Sequence, residues 1–226
     1  MGKNKLRKFA EINSFSNVIQ PQSHHNIKHF ELKGNWKEAF FHNNNPIVLE
    51  IGCGKGEYTT GLAKAFPDKN FIGIDIKGDR IWKGAKDALD EGMFNAAFLR
   101  IQAQNLTAFF QENEVSGIWL TFPDPQPRKV REKKRLTSPW FLQKYRQILA
   151  PKGPIHLKTD NKGLFDYTLE VIKAENHHTL ECSDNLYSDK HIKESLVKSI
   201  QTYYEKIFLS KGLPIYYLKF YLNENP

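Results

Sequence analysis

The chain has 226 residues, of which 40% are hydrophobic, 13% aromatic and 26% charged. This composition excludes a disordered, collagenous or coiled-coil protein and fits one α/β domain. Lysine and arginine number 33 against 25 acidic residues, and the net charge of +8 favours an anionic partner: a nucleic acid, a phosphorylated metabolite or anionic lipid.

Two cysteines far apart, Cys53 and Cys182, exclude a disulfide-dense scaffold and closely spaced zinc thiolates. No apolar run is long enough to span a bilayer, and the basic N-terminus lacks the apolar stretch of a signal peptide. We therefore expect a cytoplasmic protein without a metal.

Residues 1–44 read as a basic, partly mobile arm, and 45–226 as a single domain. In the arm, Lys3, Lys5, Arg7 and Lys8 precede Lys28, Lys33 and Lys37, periodicity is poor, and a short helix is expected near residues 33–41. Composition leaves both a solubilising tail and an RNA contact open.

From residue 46 the pattern sharpens. Ile47 to Ile51 is an apolar run that reads as a buried strand, followed by a glycine loop, a helix at 57–66, a strand at 70–75 and a helix at 79–91. A weak strand at 97–101, a short helix at 106–113 and a strong central strand at 117–122 come next. Helices at 139–149, 162–175 and 191–210 then alternate with strands at 154–159, 178–182 and 215–222. This alternation predicts an α/β fold, a doubly wound, mostly parallel sheet with helices on both faces.

The loop Gly52-Cys53-Gly54-Lys55-Gly56 lets backbone approach a ligand closely, but it matches neither the dinucleotide fingerprint, since Glu57 stands where a third glycine is due, nor a P-loop. It carries acid instead. Glu50 precedes it on the same strand, and Asp75 ends the next strand, where a carboxylate can accept both hydroxyls of a ribose. A ligand with a cationic amine and a sulfonium, and no phosphate, suits such a site, and S-adenosylmethionine has both. A solvent-facing Asp75 and a Glu50 bonded to loop amides is the other reading. Cys53 reads as a small buried hydrophobe.

Phe122-Pro123-Asp124-Pro125-Gln126-Pro127 leaves the central strand as a stiff loop that holds Asp124 at the ligand crevice. The basic run Arg128, Lys129, Arg131, Lys133, Lys134 and Arg135 follows directly, and it reads as a clamp on a phosphate backbone. Lys158-Thr159-Asp160 places a second carboxylate at the next strand end. Thr202 and Glu205, three apart, are expected on one helical face, with nothing in composition to mark them as functional.

Taken together these motifs resemble the bacterial tRNA (guanine-N7-)-methyltransferases, a family in the seven-stranded S-adenosylmethionine-dependent class. The matches are Glu50 to Gly56, Phe122-Pro123-Asp124-Pro125 with its basic run, Leu157-Lys158-Thr159-Asp160 and Thr202-Tyr203-Tyr204-Glu205, in family order over roughly residues 45–222. The resemblance implies a Rossmann-like sheet with an antiparallel last strand. It further implies methyl transfer from S-adenosylmethionine, leaving S-adenosylhomocysteine, to N7 of a guanosine in the variable loop of tRNA, with no obligate protein partner. On the same basis Glu50, Gly52, Gly54, Asp75, Gln102 and Asp124 hold the donor. Asp124 is the catalytic position, and Arg128, Asp160, Thr202 and Glu205 meet the tRNA, with Lys129, Arg131, Lys133, Lys134 and Arg135 as backbone contacts.

This chain departs from the family at three of these places. Gln126 stands where a tryptophan is usual, Arg128 where a lysine is usual, and Gln102 where a carboxylate is common. Histidines usual in the basic run are also absent. Two other functions compete with tRNA methylation: methylation of a small anionic molecule, and RNA binding without catalysis.

Overall fold

The computed structural model describes residues 3–21, 30–192 and 195–223. Lys28 of the basic arm and residues 193–194 of the expected helix lie outside them. In chain order the elements are α1 (Lys3–Glu11), β1 (Val18–Ile19), β2 (Ile47–Ile51), α2 (Glu57–Ala65), β3 (Asn70–Ile74), α3 (Gly78–Asp90), β4 (Ala96–Leu99), β5 (Val115–Thr121), α4 (Pro139–Arg146), β6 (Ile155–Thr159), α5 (Lys162–Ala174), β7 (His178–Ser183), α6 (Ser195–Ser199), α7 (Tyr203–Ser210) and β8 (Tyr216–Tyr221). Short non-α turns occur at Trp36–Phe40, Ala103–Ala108 and Lys129–Lys134.

The strands form one sheet in the order β1-β4-β3-β2-β5-β6-β8-β7. All neighbours pair in parallel except β8, which runs antiparallel to both β6 and β7. Parallel strands covered on both faces are buried at every position, as β2 and β6 are, so polar side chains among them, such as Glu50, His156 and Lys158, are buried too. Alternate residues then build two cores. Ile47, Leu49, Ile51, Ile118 and Leu157 pack under α4 and α5, while Val48, Phe71, Phe98 and Trp119 pack under α2 and α3. Glu50 shares the second face and so points at α2.

Three expectations are corrected. The sheet has eight strands, because residues 18–19 of the arm add β1 to the β4 edge through Phe98 N–H to the Asn17 carbonyl at 2.8 Å and Arg100 N–H to the Ile19 carbonyl at 2.9 Å. Residues 3–21 of the arm thus carry a helix and a strand. Its helix α1 lies on α3, with the Trp82 indole donating to Glu11 at 2.6 Å and Lys8 Nζ standing 4.6 Å from the Trp82 ring. The expected helix at 106–113 is instead the tight turn Ala103–Ala108, and Phe109 and Phe110 reach the core from the chain that follows it. The expected helix at 191–210 contains α6 and α7, with a break before Thr202.

Candidate active site

The carboxyl ends of β2 to β5 surround a cavity of about 700 Å³. Gly52, Asp75, Gln102 and Asp124 stand at the ends of four neighbouring strands and line it together, with Lys133 and Lys134 of the basic run on its rim. Its apolar wall is made by Ile101, Leu136 and Phe141. Sequence reading did not single out Ile76, Lys77, Arg80 and Trp140, which also face it. For the first three, the available signal was their position directly after Asp75.

The glycine loop has the backbone its sequence suggested. Gly52, Gly54 and Gly56 have φ of 81°, 56° and 74°, values that side chains with a Cβ adopt only under strain. Gly56 packs inward, where a Cβ would meet the Phe98 ring at 2.6 Å. Gly54 faces open space, with nothing within 4 Å of where its Cβ would stand. Asp75 braces the loop by accepting from Gly54 N–H at 3.0 Å and Lys77 N–H at 2.8 Å. Each carboxylate oxygen keeps a lone pair for a ligand.

Glu50 lies beneath this loop and is not part of the cavity wall. Its Oε2 accepts from Thr59 N–H at 2.8 Å and the Thr59 hydroxyl at 2.5 Å, and its Oε1 accepts from the Thr121 hydroxyl at 2.5 Å. Burial dominates these bonds and pushes its carboxyl up to about 7. Such an acid holds its proton more tightly folded than unfolded, so it favours the fold most below the ordinary carboxylate range. That contribution is lost as pH rises through about 7. Glu50→Gln is thus expected to be more stable than the wild type at about pH 8, by about 2–3 kcal/mol, with the gap closing by about pH 5. Urea unfolding at both pH values measures it, and a gap independent of pH would contradict the burial argument.

Asp124 follows Phe122, whose φ is 49°, and precedes Gln126, whose φ is 44°. Two left-handed residues around two prolines give the loop its sharp path. The Asp124 Oδ1 accepts from Gln126 N–H at 3.0 Å, which fixes the carboxylate, while the side chain stays exposed at the cavity. Phe122 N–H donates to the Lys158 carbonyl at 2.8 Å, so the strand end carrying Asp160 lies beside that carrying Asp124. Asp160 is half-buried, and burial raises its carboxyl above the ordinary range.

Residues 44–218 match the family model described as "Putative methyltransferase". The tRNA (guanine-N(7)-)-methyltransferase of Christiangramia forsetii is 51% identical over 219 residues, covering 96% of this chain and 97% of that protein. Its counterpart from Bacteroides thetaiotaomicron is 49% identical over 223 residues, covering 98% of this chain and 87% of its own. The chain belongs to the tRNA (guanine-N(7)-)-methyltransferase family. It is a methyltransferase enzyme of the S-adenosylmethionine-dependent class. Among solved structures, the 16S rRNA methyltransferase KamB superposes with a TM-score of 0.63 at 14% identity, covering 83% of this chain and 92% of that one. An antibiotic-related methyltransferase gives 0.62 at 15% identity over 86% of this chain and 96% of its own, and both likenesses bear on the fold alone.

The donor fits this cavity. Open glycine backbone, a braced but unsaturated Asp75 and an apolar wall suit an amino-acid end, a ribose and a purine respectively. Among the described residues there is no cluster of His, Cys, Asp and Glu that could hold a metal ion, and no helix long and apolar enough to cross a membrane. Cys53 is buried, and burial pushes its thiol well up, which leaves it inert as a nucleophile.

Two residues expected at the substrate are instead inside the protein. Thr202 is the N-cap of α7 and accepts from Glu205 N–H at 3.2 Å, while Glu205 accepts from Thr202 N–H at 3.3 Å, a reciprocal capping box. Glu205 is fully buried, with Lys158 Nζ 2.6 Å from its Oε1 and the Tyr187 hydroxyl donating to it at 2.8 Å. Lys158 also donates to the carbonyls of Val197 at 2.5 Å and Ile200 at 3.2 Å. Glu205 thus holds the segment in place, and its carboxylate has no exposure to solvent through which RNA could reach it. Arg128, Lys129 and Arg131 lie outside the cavity wall and are exposed; Arg135 is half-buried, donates to the Gln126 carbonyl at 3.2 Å and stacks 4.2 Å from the Tyr167 ring.

Proposed function

We propose that the enzyme transfers the methyl group of S-adenosylmethionine to N7 of a guanosine in the variable loop of tRNA. The observation that carries this reading is Asp124, an exposed carboxylate oriented by Gln126 N–H at the mouth of the cavity, next to the basic run. When bound, the donor supplies an electrophilic methyl group on a sulfonium. Guanine N7 has a lone pair and no proton at neutral pH, so the chain need not remove one. Its task is alignment and charge. The open backbone of Gly52 and Gly54 receives the donor's amino-acid end, Asp75 accepts from the ribose hydroxyls, and Gln102 bonds to the adenine edge. Glu50, from beneath, ties α2 to the end of β5 through Thr59 and Thr121 and so supports the glycine loop. Asp124 and Asp160 accept from the N1–H and N2–H₂ edge of the guanine and stabilise positive charge developing on its ring.

Labelled methyl transfer to unmodified tRNA transcripts, followed by nucleoside analysis, tests the proposal. Label in 7-methylguanosine of the variable loop is expected. Label on free guanosine but not tRNA would reject the substrate, and binding without transfer would reject the chemistry.

Lys129, Arg131, Lys133 and Lys134 sit on a short exposed turn at the cavity rim, where they can follow a phosphate backbone. Affinity for tRNA is accordingly expected to fall steeply with salt. Neutralising these four side chains should flatten the slope of log affinity against log salt by about 0.7–0.9 for each phosphate left without its cation. Filter binding across a salt series reads the slope, and an unchanged slope would remove the run from the interface.

A further inference from the structure

The cavity carries an aromatic side chain where the family motif does not put one. The position following Asp124-Pro125 is Gln126, whose backbone is occupied by Asp124 and Arg135 and which does not face the cavity. Trp140 does face it. It is the second residue of α4, directly after Pro139, and is 39% exposed. Its indole is held in place by the Phe141 ring, edge-on at 4.9 Å and 85°, and by Lys144 Nζ, 4.5 Å from the ring centroid. The helix packs on the turn Ala103–Ala108 that begins directly after Gln102. The same helix also packs on the turn Lys129–Lys134 that follows the Asp124 loop, so both walls of the cavity help to fix Trp140.

A planar, pre-positioned and solvent-facing ring beside an apolar wall of Ile101 and Leu136 matches a flat heterocycle. We propose that Trp140 is a donor-binding residue whose indole stacks on the purine of S-adenosylmethionine, supplying the aromatic wall that Gln126 does not. The assignment rests on the cavity being the donor site. It gives this chain a purine-selecting residue on α4 in place of one on the Asp124 loop.

Tryptophan fluorescence isolates the residue, because Trp36 and Trp119 are buried in the two cores and Trp82 is bonded to Glu11 under α1. Titration with S-adenosylhomocysteine is expected to quench the emission of the wild type and to leave Trp140→Phe nearly unchanged. Calorimetry in parallel should show affinity for S-adenosylhomocysteine weakened about tenfold in Trp140→Ala and less in Trp140→Phe. The KM for S-adenosylmethionine is expected to rise about tenfold in Trp140→Ala while the KM for tRNA stays within about twofold of the wild type, a split that general loosening of α4 would not produce. Heat of binding in the wild type with unchanged affinity in Trp140→Ala would overturn the assignment while sparing the donor site. A variant altered only in its KM for tRNA would overturn it too, by moving Trp140 to the acceptor. Absence of any binding heat in the wild type would take the donor-site reading down with it.

Discussion

Replacing Asp124 by asparagine is expected to lower turnover by about 10²–10³-fold while leaving affinity for tRNA within a few fold. Asparagine keeps the shape of the side chain, and its Oδ1 can still accept from Gln126 N–H, so the loop that now runs through Phe122 and Gln126 in left-handed conformations should persist. What is lost is the negative charge, together with one of the two acceptors that the proposed mechanism turns toward the guanine edge. The substituted amide presents donors to the donors of N1–H and N2–H₂. Positive charge moves from sulfur to the guanine ring during transfer, so the penalty falls mainly on the transition state, about 3–4 kcal/mol, and not on binding. Single-turnover rates with tRNA and donor both saturating, set beside direct tRNA binding, separate the two. A variant that turns over at nearly the wild-type rate would leave Asp124 as a loop-shaping residue only.

The largest effect on stability is expected at Lys158. Its ammonium has no exposure to solvent and is neutralised by Glu205, and burial lowers the pKa of the lysine while Glu205 raises it again. Lys158→Met leaves a buried carboxylate with only the Tyr187 hydroxyl and the Thr202 N–H, and it orphans the carbonyls of Val197 and Ile200. A loss of about 3–5 kcal/mol is expected in urea unfolding. The double variant Lys158→Met with Glu205→Leu should recover part of it, because the uncompensated charge is gone. Equal destabilisation in the single and double variants would mean that packing, not the ion pair, fixes this corner. The pair also bears on the active site, since Lys55 of the glycine loop stands 4.3 Å from the ring of Tyr203, the first residue of the helix that Glu205 anchors.

The centre of the sheet was legible because its strands β2, β3 and β6 are buried on both faces. Runs such as Ile47–Ile51 and Ile155–Thr159 leave no other reading once glycine and proline bound them. The cavity was legible to the extent that strand ends carry it: Gly52, Asp75 and Asp124 follow from where apolar runs stop, whereas Gln102 came only from the family resemblance. Side chains whose partners are distant in sequence were not. Glu205 has its counter-ion 47 residues away in β6, and no periodicity connects them. The break before α7 did have a local signal, since Thr202-x-x-Glu205 is a capping-box pattern, but the surrounding residues continue a helical composition across it. Trp140 escaped notice because the apolar periodicity of α4 runs through Phe141 and Tyr145, whereas Trp140, 39% exposed, lies off that stripe and meets the cavity beside Phe141. In the arm, two residues of β1 are too few to show any alternation.

That two-residue strand has a consequence for the order of assembly. Val18 pairs with Phe98, about 80 residues further along the chain. The strand of the arm has no partner until β4 is in place. Closing a loop of that length costs about 4 kcal/mol of chain entropy, set against one short ladder, the Trp82–Glu11 bond and the packing of α1 on α3. The arm is therefore expected to be the first piece of the edge to open on warming, which hydrogen exchange at the Phe98 and Arg100 amides ahead of the central strands would show.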